Sequence, residues 1–168
     1  MSEPLIVGDA GSKGRGVFAA QAISAGSLVA KIGGRLCHTA DIPDGYDAVQ
    51  VGDDDWLCSD GTRIDDLINH SCDANVGFLT GEPELYAIRN IAAGEEICWD
   101  YSTSINETGW RMECECGSHK CRSAVLPFSE LSPVDQERLL PITLRYLRDS
   151  VITLTSKSPT SRTKPAAC

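Results

Sequence analysis

Seven consecutive residues, Asn69-His70-Ser71-Cys72-Asp73-Ala74-Asn75, carry two amides, an imidazole, a hydroxyl, a thiol and a carboxylate. They follow the amphipathic run Arg63-Ile64-Asp65-Asp66-Leu67-Ile68. A packed segment with that polar density needs a ligand, a metal or a dense hydrogen-bond network to satisfy it. The same residue types also make a capped turn after a short helix, since Asn, Ser and Asp are good turn formers. Further along, Cys114-Glu115-Cys116 and then Cys121 form a C-x-C-x4-C array. Three thiolates so close together, with Gly117 allowing a sharp turn, can converge on one tetrahedral ion, and zinc prefers this set. A fourth ligand would close the site, and His119, Cys72, Cys37, Cys58 and Cys98 are the candidates. His119 lies inside the loop, where reaching back is strained. Cys37, Cys58 and Cys98 sit in apolar, strand-like contexts and read as buried small hydrophobes. That leaves Cys72 as the best choice, with unliganded or redox cysteines as the alternative to a metal.

The elements that must position these groups are short. Leu5-Ile6-Val7, Val17-Phe18-Ala19-Ala20 and Leu28-Val29-Ala30-Lys31-Ile32 are apolar runs separated by glycine-rich turns, which favours strands over helices. A small internal echo, Ile23-Ser24-Ala25-Gly26-Ser27-Leu28-Val29 against Ile91-Ala92-Ala93-Gly94-Glu95-Glu96-Ile97, reads as two strand–turn–strand corners. The region from Cys37 to Gly61 is expected to be loop-rich, with short strands at Ala48-Val51 and Trp56-Cys58. Leu85-Arg89 and Ile97-Trp99 complete the sheets. From Ser129 the character changes. Ser132-Pro133-Val134-Asp135 is a helix start with a Ser N-cap and Pro at the first helical position. Leu139, Leu140, Leu144 and Leu147 then recur at helical spacing, with a break expected at Pro141. Residues 156–168 read as a disordered tail.

The chain has 168 residues, 42% hydrophobic, enough for one domain with a small appendage and a substantial core. No apolar run is long enough for a transmembrane helix. Met1-Ser2-Glu3-Pro4 shows neither the basic nor the apolar region of a signal peptide, so an intracellular protein is expected, in cytoplasm or nucleus and not secreted. There thiols stay reduced, which points the eight cysteines towards metal or chemistry rather than disulfides. The net charge is -9, and nine aspartates lie between Asp41 and Asp66 against a single Arg63. That surface disfavours nucleic acid and membrane as partners and suits a basic peptide or protein. A solvated acidic loop that only aids solubility is the alternative. A monomer or homodimer is expected.

Four motifs together resemble those of SET-domain protein lysine methyltransferases. Asn69-His70-Ser71-Cys72-Asp73-Ala74-Asn75 is similar to the family's N-H-S-C-x-P-N signature. Glu95-Glu96-Ile97-Cys98-Trp99-Asp100-Tyr101, preceded by Gly94, resembles G-E-E-L-x-F-D-Y. Lys13-Gly14-Arg15-Gly16-Val17-Phe18-Ala19 resembles K-G-x-G-V-F-A, and the cysteine array resembles the post-SET zinc motif. They occur in family order and cover roughly residues 5 to 122. The resemblance implies a mainly β fold of small curved sheets, in which the heptapeptide makes a pseudoknot beside Asp100-Tyr101. The implied division is a SET domain over 1–110, a post-SET zinc segment over 111–125 and a C-terminal helical extension over 126–155.

The resemblance also implies a reaction: S-adenosylmethionine would methylate a lysine side chain of a basic protein and leave S-adenosylhomocysteine. Lys13, Gly14, Arg15 and Gly16 would approach the cofactor through their backbone, which glycine permits. Asn69 and His70 would hold its amino-acid and adenine parts. Structural zinc would sit on Cys72, Cys114, Cys116 and Cys121, with Trp110 and Phe128 stacking or packing nearby. Trp99 would line the lysine channel, and its lack of a phenol oxygen favours multiple methylation. Tyr101 would be the catalytic residue, orienting the amine. With a reference pKa near 10 it is a poor general base. Deprotonating a free lysine at pH 7 costs roughly 4.6 kcal/mol, a cost that the cofactor's positive charge and a dry channel both lower. The chain departs from the family at Ala74, where proline is usual, and at Ile32-Gly33-Gly34, where many members have Y-x-G. Tyr46 or Tyr86 would have to supply that tyrosine. The rival reading is a catalytically weak or inactive SET module that binds protein partners.

Overall fold

A computed structural model describes residues 4–156. The first hairpin pairs β1 (Leu5–Asp9) with β2 (Arg15–Ala19) in antiparallel register, Leu5 opposite Ala19 and Asp9 opposite Arg15. Its turn carries the glycine loop 11–14, closed by an Ala10 N–H to Gly14 carbonyl bond of 2.7 Å. The chain continues through β3 (Leu28–Lys31), β4 (Arg35–His38), β5 (Asp47–Gln50) and β6 (Asp55–Ser59). The last three form one antiparallel sheet in the order β4-β6-β5. β4 was not expected from the sequence. Its Cys37 is buried while Leu36 and the flanking Arg35 and His38 are exposed, so one inward residue is all the apolar signal it has.

The heptapeptide opens with β7 (Asn69–His70), and the chain then runs through β8 (Val76–Gly77), β9 (Glu84–Ala87) and β10 (Cys98–Trp99). β3, β9 and β8 make a three-stranded sheet, whereas β10 lies parallel to β7, with Cys98 opposite Asn69 and Trp99 opposite His70. The two halves of the internal echo meet each other: Ile23 and Ile91 exchange both backbone bonds at 2.9 Å. Val17, Ile68, Val76, Phe78, Leu85, Ile97, Trp99 and Leu144 fill the core between these small sheets. The mainly β architecture is the one the resemblance implied.

β11 (Met112–Glu113) and β12 (Ala124–Val125) form a hairpin that frames the cysteine array. Then come α1 (Pro133–Leu139) and α2 (Arg145–Ser156). The Ser132 hydroxyl accepts the Asp135 N–H at 3.2 Å, capping α1 as expected. A short 3-10 turn at Leu140–Ile142, containing Pro141, separates the helices. Leu139 and Leu147 pack with Phe128 and Leu131 in a satellite core. Of the expected disordered tail, Ser156 ends α2 and residues 157–168 lie outside the described residues.

Candidate functional site

The heptapeptide wraps the β10 strand from both sides. On one side the Ser71 N–H reaches the Trp99 carbonyl at 3.1 Å, and on the other the Asn75 N–H reaches that of Cys98 at 3.0 Å. Asn75 is almost fully buried. Its side chain accepts from the Cys98 N–H at 2.9 Å and donates to the Glu96 carbonyl at 2.7 Å. These bonds lock the crossing of the two segments. At the turn where Ala74 replaces the usual proline, the Ser71 hydroxyl accepts the Asp73 N–H at 3.1 Å, so a side chain supplies the constraint.

On one face of this crossing lies a cavity of about 250 Å³ lined by Ser12, Lys13, Asn69, His70, Tyr101 and the segment 112–116. Asn69 donates to the Arg15 carbonyl at 3.0 Å and to Glu96 Oε1 at 2.9 Å, and Lys13 pairs with the other Glu96 oxygen. A Cβ on Gly16 would come within 2.9 Å of Asn69 Nδ2 and 2.8 Å of Glu96 Oε1. Glycine there is what lets the loop lie against Asn69. Gly14 and Arg15 do not line this cavity. They border a neighbouring depression beside β1.

A second cavity, of about 150 Å³, is lined by Ile32, Ile68, Tyr101, all three tryptophans of the chain (Trp56, Trp99 and Trp110) and the acidic residues Asp47, Asp65 and Asp66. Tyr101 is thus a wall of both cavities. Its hydroxyl donates to the Ile68 carbonyl at 2.9 Å, and its ring lies 4.8 Å from that of Trp99. Burial pushes the Tyr101 phenol above its ordinary pKa, so it stays protonated at neutral pH. Asp47 is also raised, by burial and by the nearby Asp66. Ile32 lines the cavity where many relatives of the resembled family carry tyrosine. Neither Tyr46 nor Tyr86 lines it, and Tyr86 bonds Glu84 instead.

The Sγ atoms of Cys72, Cys114, Cys116 and Cys121 all lie within 4.8 Å of one another. Cys114 Sγ is 3.8 Å from Cys72 Sγ and 3.7 Å from Cys121 Sγ. A tetrahedral ion with bonds of about 2.3 Å sets sulfur–sulfur edges of about 3.8 Å, so the set fits zinc. His119 is exposed and outside this group, while Cys37, Cys58 and Cys98 are buried elsewhere. Burial alone would raise Cys116, but the N–H groups of Cys72 and Ser118 and the thiols of Cys114 and Cys121 bring it down to about 7. The N–H groups of Arg122 and Ser123 point at Cys72 Sγ and Cys121 Sγ, each at 3.4 Å; burial raises the Cys72 thiol, and the Arg122 N–H opposes that shift. Trp110 packs against this cluster and lines the smaller cavity, whereas Phe128 belongs to the satellite core.

Sequence reasoning missed the ion pair of Asp100 with Arg122. The guanidinium grips the carboxylate through two bonds of 2.7 and 2.8 Å, and the Asp100 side chain is completely buried. Arg122 had no signal beyond following the last cysteine of the array.

A family model for the SET domain matches residues 14–102, over half of the chain. Human histone-lysine N-methyltransferase 2B is 32% identical over 126 residues, covering 65% of this chain and 5% of that protein. A probable histone-lysine N-methyltransferase of Caenorhabditis elegans, set-23, is 38% identical over 74 residues, 40% of this chain and 30% of its own length. The chain therefore spans only a small part of these relatives. Among solved structures, KRYPTONITE in complex with methylated DNA and S-adenosylhomocysteine superposes with a TM-score of 0.60 at 24% identity, covering 73% of this chain and 29% of that one. Arabidopsis thaliana SUVH6 in complex with S-adenosylmethionine gives 0.59 at 20% identity, covering 75% and 34%.

Proposed function

The chain belongs to the SET-domain family, and on that premise we propose that it methylates lysine side chains of a basic protein. The observation that carries the proposal is the position of Tyr101 as a wall common to two cavities. One cavity is bordered by the glycine loop and Asn69, the other by tryptophans and carboxylates. A methyl donor entering one and a lysine entering the other would meet beside the phenol. The names of the relatives, histone-lysine N-methyltransferases, support the reaction class. The solved neighbours hold S-adenosylmethionine or its demethylated product.

S-adenosylmethionine would supply a sulfonium methyl and leave as S-adenosylhomocysteine. Lys13 and Asn69 would hold it, with His70 contributing through its backbone and Gly16 permitting the approach of Asn69 to the loop. Gly14 and Arg15 would act only through the backbone course of the loop. The protein's task towards lysine is to present a neutral amine, at a cost of roughly 4.6 kcal/mol from a free side chain at pH 7. Apolar walls at Ile32, Ile68 and Trp99 disfavour the ammonium and reduce that cost, while the carboxylates of Asp65 and Asp66 at the same cavity act in the opposite direction. Tyr101, its proton committed to the Ile68 carbonyl, has oxygen lone pairs left to orient the amine. It is not the base. The lysine ammonium would give up its proton to water, and the neutral amine so formed would accept the methyl group, the displaced electron pair staying with S-adenosylhomocysteine.

Zinc on Cys72, Cys114, Cys116 and Cys121 would be structural, since four thiolates leave no open position. We divide the chain into a SET domain over 1–110, a zinc segment over 111–125 and a helical extension from 126. The acidic residues at the smaller cavity suit a basic peptide such as a histone tail and disfavour nucleic acid. A neighbour solved with an H3 peptide also holds DNA, and both contacts belong to that protein. No helix of the described residues is long and apolar enough to cross a membrane. Ile32 in place of tyrosine favours the second reading, a SET module that binds partners without transfer. Incubation with methyl-labelled S-adenosylmethionine and a panel of basic proteins separates the two. Label on lysine supports the enzyme, and cofactor binding with no transfer to any substrate supports the module.

A further inference from the structure

The His70 side chain is committed away from the cavity that its residue borders. Its Nδ1 lies 3.2 Å from the backbone nitrogen of Tyr101, which can only donate, so Nδ1 accepts. An imidazole whose Nδ1 accepts a hydrogen bond carries its hydrogen on Nε2. That Nε2 lies 3.3 Å from Cys72 Sγ. One neutral ring therefore bridges a sulfur of the cysteine cluster and the amide of Tyr101.

A second bridge runs alongside it. The Arg122 backbone N–H donates to the same sulfur at 3.4 Å, while its guanidinium grips Asp100 at 2.7 and 2.8 Å. Both bridges begin on Cys72 and end on consecutive residues, Asp100 and Tyr101. Each donates a hydrogen bond to the sulfur, and such bonds stabilise a thiolate ligand and hold it in orientation.

We propose that His70 is a positioning residue that couples metal occupancy of the four-cysteine site to the placement of Tyr101, with Arg122 as the parallel strut. This rests on the metal and methyl-transfer readings above, but its test needs no turnover. Asparagine and glutamine split the two bonds of the ring. An asparagine oxygen reaches the place of Nδ1 and keeps the acceptor for Tyr101, whereas a glutamine nitrogen reaches the place of Nε2 and keeps the donor for Cys72.

Two readouts follow: zinc affinity by chelator competition, and hydrogen exchange of the Tyr101 amide resolved by NMR. His70→Asn should weaken zinc about 10-fold or more while the Tyr101 amide stays protected in the zinc-saturated protein. His70→Gln should hold zinc within about 3-fold of wild type yet lose at least about 10-fold of the Tyr101 protection. A purely structural histidine would move both readouts together in both variants, and that result would overturn the proposal. Should either variant fail to fold, the unaltered protein still decides. Removing zinc should accelerate exchange at Tyr101 while the amides of the β1–β2 hairpin stay protected. Unchanged Tyr101 exchange on zinc removal, or no stoichiometric zinc binding, would refute the coupling. A protein that shows the coupling but no methyl transfer would count against the enzyme reading alone.

Discussion

Replacing Arg122 by methionine strands a charge. The Asp100 carboxylate has no exposed side-chain surface, and the Arg122 side chain is 13% exposed, so the pair is shielded from water. Breaking a buried pair from one side costs about 3–5 kcal/mol, because the remaining ion keeps its desolvation penalty. Two features adjust that figure. Arg122 Nε is buried with no hydrogen-bond partner, so its removal relieves a group that costs about 1–3 kcal/mol. The Ser102 N–H stays within 3.2 Å of Asp100 Oδ1 and still partly satisfies the carboxylate. Both push the cost towards the lower end, about 3 kcal/mol. For a chain of this size that is a fall in melting temperature of roughly 6–12 °C. Zinc-saturated protein should be melted by calorimetry beside Arg145→Met, which breaks the exposed pair with Glu82 and should cost less than about 1 kcal/mol. Adding Asp100→Asn to Arg122→Met removes the stranded charge, so the double variant should lose less than the two single losses added together, by about 1–3 kcal/mol. Equal losses for the Arg122 and Arg145 variants, or strict additivity with Asp100→Asn, would refute the picture of a buried charge held chiefly by Arg122.

Other consequences are quicker to test. Gly16→Ala puts a methyl within 2.9 Å of both Asn69 and Glu96, so S-adenosylmethionine should bind at least about 10-fold more weakly by titration calorimetry. Burial alone would raise the Glu95 carboxyl, but Arg89, Asn75 and the Ala92 N–H hold it at about 2, below the ordinary 4.5. Its folded-state pKa is depressed, so its contribution of roughly 2 kcal/mol is complete above pH 4.5 and lost as pH falls towards 2. Denaturant titrations should show that slope flattened in Glu95→Gln. Trp99→Tyr would place a phenol oxygen in the smaller cavity, and mass spectrometry of a methylated peptide should then show fewer methyl groups per lysine than with the unaltered protein.

What could be read from the chain was what lives in local chemistry. The cysteine spacing and the polar heptapeptide pointed to Cys72 as fourth ligand, and the sulfur geometry fits that set. Ser132, Pro133 and Pro141 marked the start and the break of the C-terminal helices because capping and the missing proline N–H act within one turn. β4 was not legible because Cys37 is its one inward residue, and the two-residue strands β7, β8, β11 and β12 are too short to show a periodicity. The Asp100–Arg122 pair was hidden for another reason: its partners are 22 residues apart and meet where the cysteine array folds back against Cys72. The sequence also suggested Tyr46 or Tyr86 as a stand-in for the tyrosine absent at Ile32. Neither lines the cavity, Tyr86 being bonded to Glu84 and Tyr46 exposed, and the cavity is lined by tryptophan instead.

The central claim is that Tyr101 stands where donor and lysine meet. The most direct measurement is single-turnover methyl transfer to a basic peptide by wild type and Tyr101→Phe, with cofactor affinity determined on the same samples. A transfer rate reduced about 10²-fold or more, with cofactor affinity within about 3-fold of wild type, is the predicted result. Transfer at the wild-type rate by the phenylalanine variant would contradict it.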